Sequence, residues 1–410
     1  MIAPARRAAF EVVRRVFEDD AYADRAFAAA AAGLDQRDRA LAQRIAYGTV
    51  QRMRTIDYGI DTLGKRPARK LDPAVLASLR IAAYQLAWSE APAHAVADDA
   101  VELVRGERLE RATAFTNAVA RRLAEGFKEL VASLPEGALK ESYPDWIFEV
   151  WERDWGFDEA VALAKAQNEP GELVVRSVEP VGEPTDVPGA YRVDRVDPVA
   201  LAEGRVWPQS RGSQVGALAL DSRDGERVLD ACAAPGGKAT MLRGEVTAVE
   251  IHPGRARELE ENARRLGATN VWVVNADVRE LEESGFDRAL VDAPCSGLGV
   301  LGRRPDLRWR SKPLPELQLE LLRAAAERTR PGGTIVYSVC TINADENEAV
   351  VDASGLDVES LASEWPQFVH PKRPEFLLTT PHRHGTSGFF IARLRKPESA
   401  VGSPESHVLA

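Results

Sequence analysis

The stretch Arg227-Val-Leu-Asp-Ala-Cys-Ala-Ala-Pro-Gly-Gly-Lys-Ala-Thr240 joins a short apolar run to a glycine-rich turn. Gly236 and Gly237 allow the backbone to approach a ligand closely before the next helix begins. Four further apolar runs follow, at 246–251, 271–274, 288–292 and 334–337. Helical patterns separate them, notably at 255–266 and 315–329. This alternation predicts a mostly parallel sheet covered by helices on both faces, with a late edge strand at 389–393.

Acidic residues follow the ends of the first three predicted strands: Asp230, Glu250 and Asp277. Ligands of such sheets bind at the carboxyl ends of the strands, so we expect the three carboxylates to converge on one nucleoside. Glu250 is suited to the two hydroxyls of a ribose, and Asp277 to an adenine amino group. The stretch lacks the Gly-x-Gly-x-x-Gly pattern of dinucleotide sites. The predicted cofactor is therefore S-adenosylmethionine, and the alternative is that the acids are solvated strand ends.

Two cysteines follow the fourth and fifth strands, in Val291-Asp-Ala-Pro-Cys295 and in Tyr337-Ser-Val-Cys340. The first, fourth and fifth strands of a doubly wound sheet are neighbours, so both thiols should lie side by side near Asp292. Methylation of carbon 5 of a cytosine needs a thiolate that adds to carbon 6, an acid near the base and a proton acceptor. Two cysteines and an aspartate can fill these roles, and Lys238 is close enough in the pattern to favour a thiolate.

The third cysteine, Cys232, is interpreted as a small buried hydrophobe within the first turn. The cysteines are separated by 63 and 45 residues, which matches no zinc-ligand spacing, so no metal is expected.

The region before the sheet divides into two parts. Residues 4–130 carry apolar side chains at helical spacing, and Asp72-Pro73 is a helix start signal. They predict a helical bundle, with a role in RNA binding or, alternatively, in packing or dimerisation. Many prolines mark 131–210, which predicts a linker, a short helix at 146–155 and a small α+β piece with a strand at 173–176. We expect domains at 1–132, 133–210 and 211–396, followed by a flexible tail at 397–410.

Composition describes an ordinary globular chain, with 410 residues, 45% hydrophobic and 28% charged. Its apolar runs are far shorter than the roughly 20 residues of a membrane span, and no signal-peptide pattern is present at the N-terminus. A cytoplasmic monomer is expected. The net charge is −10, but residues 1–135 carry 21 Lys+Arg against 18 Asp+Glu, a net of +3. A local basic surface can bind RNA even when the whole molecule is acidic.

At Asp230–Lys238, Asp292-Ala-Pro-Cys-Ser-Gly297 and Tyr337-Ser-Val-Cys-Thr341, the chain resembles the Sun/Nop2 family of ribosomal RNA cytosine-carbon-5 methyltransferases. The resemblance covers about residues 4–395 and is strongest to the 16S rRNA methyltransferase B type, which has a NusB-like N-terminal domain. It implies a Rossmann-like, S-adenosylmethionine-dependent domain. It also implies that Cys340 attacks carbon 6, that Cys295 assists product release, that Asp292 holds the base, and that Lys238 lies beside the site.

The resemblance extends to binding residues. The predicted cofactor set is Cys232, Ala233, Ala234, Pro235, Gly236, Gly237, Lys238, Glu250, Arg255, Asp277 and Asp292. On the RNA side the family motifs match Asn168 and Arg176. The arginines of Gly302-Arg-Arg-Pro-Asp-Leu-Arg-Trp-Arg310 add candidate phosphate contacts at Arg303, Arg304 and Arg308, with a solvated loop as the alternative. The chain departs from the family pattern at Ser177, Ser210, Arg211 and Ser387.

Two other functions remain open from the sequence. The first is the same chemistry on transfer RNA or on another ribosomal site. The second is a non-catalytic RNA-binding assembly factor, against which the intact cysteines, Asp292 and Lys238 argue. A DNA cytosine methyltransferase would carry its nucleophile in the Pro-Cys loop and would lack the second cysteine.

Overall fold

The computed structural model describes residues 2–398, which form two compact units. The first contains residues up to 170 together with 300–311, and the second contains 171–299 together with the residues from 312 onward. Apart from residues 397 and 398, the predicted tail lies outside the described residues. Within residues 2–398, no helix combines the length and apolarity needed to cross a membrane.

The first unit is helical, as the spacing of its apolar residues predicts. Its helices are α1 (Pro4–Glu18), α2 (Ala23–Ala30), α3 (Gln36–Gln51), α4 (Met53–Gly64), α5 (Pro73–Trp88), α6 (Ala93–Gly106), α7 (Glu110–Ser133), α8 (Ala138–Glu141), α9 (Asp145–Trp155) and α10 (Phe157–Ala166). Asp72 caps α5 by accepting a hydrogen bond from the Ala74 amide, with Pro73 at the first helical position. Phe10, Ile45 and Phe127 are fully or almost fully buried in the shared core.

The boundary of the helical unit differs from the predicted one at residue 132. Helices α8, α9 and α10 belong to this unit and not to a connector. Tyr143 and Trp151 are fully buried, and their rings meet edge to face with centroids 5.1 Å apart. Arg54 also donates to the Tyr143 carbonyl at 2.5 Å. The composition of a proline-rich stretch does not predict buried aromatic contacts of this kind.

A small antiparallel sheet opens the second unit. It contains β1 (Val174–Ser177), β2 (Glu183–Pro184), β3 (Ala190–Arg192) and β4 (Val206–Pro208) in the order β2-β3-β1-β4. Helix α11 (Pro198–Ala202) precedes β4, and α12 (Arg211–Leu218) follows it. The strand expected at 173–176 is β1.

The large sheet follows, with the predicted alternation of strands and helices. Its elements are β5 (Arg227–Asp230), β6 (Glu245–Val249), α13 (Pro253–Arg265), β7 (Val271–Val274), β8 (Phe286–Asp292), α14 (Leu307–Arg310), α15 (Pro315–Arg328), β9 (Thr329–Val339), α16 (Glu348–Ser354), β10 (Asp357–Glu359), β11 (Leu377–Thr379), α17 (Pro381–His384) and β12 (Phe389–Arg395), of which α14 lies in the helical unit. Single 3₁₀ turns cover Ala68–Lys70, Ala239–Met241, Val278–Glu280 and Pro366–Phe368.

The strand order of the large sheet is β10-β12-β9-β8-β5-β6-β7, with β11 paired to β12. Strands β5 to β9 pair in parallel, and β12 pairs antiparallel with β9. The order places β5, β8 and β9 side by side, as the doubly wound pattern predicts. The sheet therefore brings the residues after these three strands to one edge.

Residues 300–311 complete the helical unit, although they follow the Cys295 loop in the chain. The Trp309 indole packs against the helical core and donates to the Val50 carbonyl at 2.8 Å. Arg308 is fully buried. This segment was expected to be a solvated or RNA-facing loop. It is instead part of the first unit, and its side chains Arg308 and Trp309 contact that unit.

Candidate active site

The two predicted thiols meet at the carboxyl edge of the large sheet. Cys340 directly follows β9, and Cys295 lies three residues beyond the end of β8. Their sulfur atoms are 3.4 Å apart. The Gly299 amide donates to the Cys340 carbonyl at 3.0 Å, which ties the Pro-Cys loop to the end of β9.

Close backbone packing holds this loop against the last strand of the sheet. The Gly388 amide donates to the Gly299 carbonyl at 2.8 Å. A Cβ atom on Gly299 would come within 2.1 Å of the Gly388 carbonyl oxygen. Both positions need glycine because the two backbones touch here.

Lys238 and Asp292 form an ion pair beside the thiols. The Lys238 Nζ atom lies 2.8 Å from Asp292 Oδ2 and 4.9 Å from the centre of the Phe389 ring. Lys238 is buried, whereas 32% of the Asp292 side chain is exposed. The lysine therefore orients the carboxylate, and part of that carboxylate remains accessible to a ligand.

The two thiols have opposite protonation tendencies. The hydrogen bond from Cys295 lowers the pKa of Cys340 and outweighs the effect of burial, and the positive charge of Lys238 adds to this. The same hydrogen bond raises the pKa of Cys295, and burial raises it further. Burial also raises the pKa of Cys232, followed by the nearby charge of Asp230. Of the three cysteines, Cys340 is the one that the site favours as a thiolate.

The glycine-rich turn is held by three side chains that donate to its carbonyls. Arg176 donates to Gly237 at 2.8 Å, Arg255 donates to Ala234 at 2.8 Å, and Asn262 donates to Pro235 at 2.8 Å. Gly236 has a φ of +104°, where a side chain would be strained. A Cβ atom on Gly237 would lie 2.8 Å from the Trp207 ring nitrogen. The turn is thus fixed in shape, which suits a preformed ligand site.

The three predicted acids have different surroundings. Asp230 is fully buried, its Oδ2 atom has no hydrogen-bond partner, and burial raises its pKa to about 7. Glu250 is nearly buried; its Oε1 accepts from the His252 amide at 2.9 Å, and its Oε2 lies 3.6 Å from Arg255. Asp277 is paired with Arg279, whose hydrogen bond lowers the pKa of that carboxyl.

These residues fit S-adenosylmethionine. A buried carboxyl oxygen without a partner, Asp230 Oδ2, calls for a hydrogen-bond donor or a positive charge. One oxygen of Glu250 remains without a short hydrogen bond, which suits a ribose hydroxyl. Asp277 would have to share its carboxylate between Arg279 and an adenine amino group. These residues thus offer the carboxylate acceptors that the hydroxyls and the amino group of an adenosine require.

The RNA-side candidates are less uniform. Asn168 donates to the backbone and the side chain of Glu141, at 3.0 and 2.9 Å. Arg176 is committed to the glycine-rich turn through Gly237 and Thr240. Both therefore act on the protein itself in this structure. Among the departures from the family pattern, Ser210 caps α12 and the buried Arg211 pairs with Glu172.

The arginines of 300–311 separate into exposed and buried members. Arg303 is exposed, and Arg304 is half-buried, 5.5 Å from the centre of the Tyr22 ring. Arg308 is fully buried and donates to the carbonyls of Gln51 and Gln167, each at 3.1 Å. The expected phosphate contact of Arg308 is contradicted by this burial. Its guanidinium donates hydrogen bonds to backbone carbonyls of the helical unit instead.

One residue of the site was missed from the sequence. Glu346 is fully buried and hydrogen-bonds to both cysteine loops, at Ser296 and Thr341. Its only signal is the polar run Asp345-Glu-Asn-Glu348 after an apolar strand. Such a run normally indicates a solvated loop.

No group of three or more histidine, cysteine or acidic side chains in residues 2–398 is arranged to hold a metal ion. The site is thus built from thiols, a lysine–carboxylate pair, acidic strand ends and a glycine-rich turn. On a parallel sheet of this order, those features define an S-adenosylmethionine-dependent methyltransferase with a cysteine pair.

Comparison with known proteins gives the family. The profile described as "16S rRNA methyltransferase RsmB/F" matches residues 217–395, and the NusB family profile matches residues 3–125. A probable ribosomal RNA small subunit methyltransferase B of Bacillus subtilis is 32% identical, over 88% of this chain and 92% of its own length. The ribosomal RNA small subunit methyltransferase B of Thermus thermophilus is 36% identical, over 89% of this chain and 90% of its own. The chain belongs to the RsmB/F methyltransferase family.

Solved structures agree with this assignment. The protein PH0851 is 25% identical with a TM-score of 0.79, over 97% of this chain and 99% of its own. A methyltransferase homologue from Pyrococcus horikoshii is 28% identical with a TM-score of 0.54, over 63% of this chain and 97% of its own. The predicted Rossmann-like fold, the NusB-like helical domain and S-adenosylmethionine as cofactor are confirmed.

Proposed function

We propose that this protein methylates carbon 5 of a cytosine in RNA, and that its substrate is 16S ribosomal RNA. The observation that carries the proposal is the pair of thiols 3.4 Å apart beside the Lys238–Asp292 ion pair. Methylation of an oxygen or nitrogen atom does not require a cysteine nucleophile, and a second thiol would have no task there. The relatives' names, which refer to the small ribosomal subunit, support the substrate.

The first step is activation of the base. The Cys340 thiolate adds to carbon 6 of the cytosine and forms a carbon–sulfur bond, which places an electron pair at carbon 5. The Asp292 carboxylate accepts a hydrogen bond from the amino group of the base, and Lys238 holds that carboxylate in place. The low pKa of Cys340 relative to Cys295 supports this division of roles.

The second step forms and releases the product. S-adenosylmethionine, when bound, supplies an electrophilic methyl group for carbon 5. Cys295 first loses its own proton to solvent, and its thiolate then accepts the proton from carbon 5. The electron pair re-forms the double bond, and the bond to Cys340 breaks with release of its thiolate. Asp230, Glu250, Asp277 and the glycine-rich turn would hold the cofactor.

The test uses denaturing gels of the full-length protein with 16S ribosomal RNA and S-adenosylmethionine. Cys295→Ala should still add to the base and transfer the methyl group, but it cannot remove the proton, so a slow-migrating RNA adduct should accumulate. Cys340→Ala and the double variant should form no adduct. Cys232→Ala is the control for the loss of a thiol, because Cys232 lies in the glycine-rich turn and not beside the other two thiols, and it should accumulate no adduct.

Each outcome decides a different point. An adduct with Cys340→Ala alone would exchange the two roles. No adduct with either single variant would contradict the covalent mechanism. Adduct formation on transfer RNA in preference to 16S ribosomal RNA would contradict the proposed substrate and keep the chemistry.

A further inference from the structure

The carboxylate of Glu346 is buried next to the loops that carry the two thiols. None of its hydrogen-bond donors is a charged group. Glu346 is 0% exposed. Its two oxygens accept hydrogen bonds from six groups: Ser296 N (2.9 Å), Leu314 N (3.1 Å), Gln318 Nε2 (3.0 Å), Thr341 Oγ1 (3.2 Å), Asn343 Nδ2 (3.3 Å) and the Ser296 hydroxyl. A carboxylate buried without a counter-ion is costly unless hydrogen bonds replace its hydration, which these donors do.

The partners of Glu346 identify what it holds together. Ser296 is the residue after Cys295, and Thr341 is the residue after Cys340. The hydroxyls of Ser296 and Thr341 are themselves 2.8 Å apart. A single side chain thus fixes the residue next to each thiol, from two loops that are 45 residues apart in the chain.

The charge of Glu346 also acts on the thiols. It adds to the hydrogen bond with Cys340 and to burial in raising the pKa of Cys295. The other charged or titratable groups that face the pair are Asp292 and Lys238, near Cys340, and Tyr337, near Cys295. A negative charge therefore lies near each thiol, Glu346 near Cys295 and Asp292 near Cys340. The one cation in this set, Lys238, lies near Cys340.

We propose that Glu346 is a positioning residue for the cysteine pair: its buried carboxylate, bonded to the residue after each thiol, fixes the separation and orientation of the two sulfurs. In the resting pair this orientation makes Cys295 the hydrogen-bond donor and Cys340 the thiolate. A glutamine at this position would place its NH₂ group where one of the two carboxylate oxygens now accepts. That NH₂ group would then face another donor, for example the amide of Asn343. The catalytic role of Glu346 rests on the proposed covalent function. Its effect on the position of the two thiols does not depend on that function.

The experiment compares Glu346→Gln with the wild type and with Glu348→Gln. Glu348 is the matched control: it lies two residues away and is largely buried, but it faces His370 at 2.7 Å and not the cysteine loops. Alkylation of Cys295 and Cys340 by iodoacetamide is followed by peptide mass spectrometry across pH 6–10, without RNA. This readout needs no catalysis, so it remains valid even if the protein proves not to methylate RNA.

In Glu346→Gln, we expect the midpoint of Cys295 alkylation to move to lower pH and that of Cys340 to higher pH, so that the two converge. The single-turnover methylation rate should fall roughly 10- to 100-fold, the scale for misplaced reacting groups. The KM for RNA and the affinity for S-adenosylmethionine should stay within about twofold. Glu346→Asp should recover part of the separation between the midpoints, and Glu348→Gln should change neither.

Unchanged alkylation midpoints in a folded Glu346→Gln variant would overturn the proposal. So would equal shifts of both midpoints in the same direction, which would indicate a general loss of structure. If Glu346→Gln does not fold, Thr341→Val removes one hydrogen bond and keeps the charge. It should then lower the methylation rate while the midpoint of Cys295 stays within a few tenths of a pH unit, and a rate equal to wild type would count against positioning.

Discussion

Replacing Arg308 with methionine should destabilise the helical unit. The guanidinium is fully buried, and it lies 3.9 Å from the centre of the Tyr143 ring. It donates to the carbonyls of Gln51 and Gln167. Burial lowers the pKa of Arg308 to about 10, which leaves it protonated at neutral pH. Methionine is of comparable length, so the change removes the charge and the donors with little loss of volume.

The magnitude follows from these contacts. Two charge-assisted hydrogen bonds contribute about 1.5–3 kcal/mol each, and the desolvated cation–π contact contributes about 2 kcal/mol. Relief from burying a charge returns several kcal/mol of this total. A net loss of about 3 kcal/mol is expected, because the buried Gln167 carbonyl and the partly buried Gln51 carbonyl remain without this donor. For a domain of about 150–250 residues, that corresponds to a fall in Tm of about 6–12 °C.

The assay is thermal unfolding, with hydrogen exchange of peptides from α3 and α10 to locate the change. Arg310→Met is the comparison variant: Arg310 is partly exposed, pairs with the exposed Asp20 and contacts the Tyr22 ring, so its loss should cost less than that of Arg308. If Arg308 instead contacted RNA, the variant would keep its Tm and bind RNA with a smaller salt dependence. That result would refute the structural assignment of Arg308.

Two further predictions concern the cofactor edge. Glu250→Ala should weaken S-adenosylmethionine binding by roughly 10- to 100-fold, because each ribose hydroxyl bonded to a carboxylate contributes about 1.5–3 kcal/mol. Calorimetry measures the affinity, with Glu258→Ala, at an exposed position, as the control. Equal affinities of the two variants would show that Glu250 does not bind the cofactor. In the cofactor-free protein, burial raises the pKa of Asp230 to about 7 from an ordinary value of 3.8, so the folded state holds a proton that the unfolded chain releases. The stability that this proton contributes is complete below about pH 4 and is lost as the pH rises towards 7. Urea unfolding from pH 4 to 8 should therefore show a decline that Asp230→Asn flattens, and identical slopes would contradict the buried carboxyl.

The sequence was informative where chemistry and strand pattern coincide. Cys295 and Cys340 could be placed side by side because each follows an apolar strand, and parallel strands end at one edge of the sheet. The same argument placed Glu250 and Asp277, although β6 ends one residue before Glu250. Lys238 was found through its motif, but its partner Asp292 required the sheet order.

The remaining features depend on contacts that no local pattern encodes. Arg308 resembles a surface arginine until the fold places it among backbone carbonyls. Glu346 resembles part of a solvated loop, because four of the six donors around it belong to residues 28–50 positions earlier in the chain. The compact unit extends beyond the predicted helical domain for a similar reason, since only tertiary packing shows that Tyr143 and Trp151 are buried within it.

The contribution of 300–311 to the helical unit limits how this protein can be divided or assembled. A catalytic fragment that begins after residue 170 would carry the Trp309 indole and the Arg308 guanidinium without the carbonyls and core that receive them. A helical fragment that ends there would lack the same twelve-residue piece. The N-terminal unit is therefore not an independent cassette. Its removal in the laboratory therefore requires shortening of 300–311 as well.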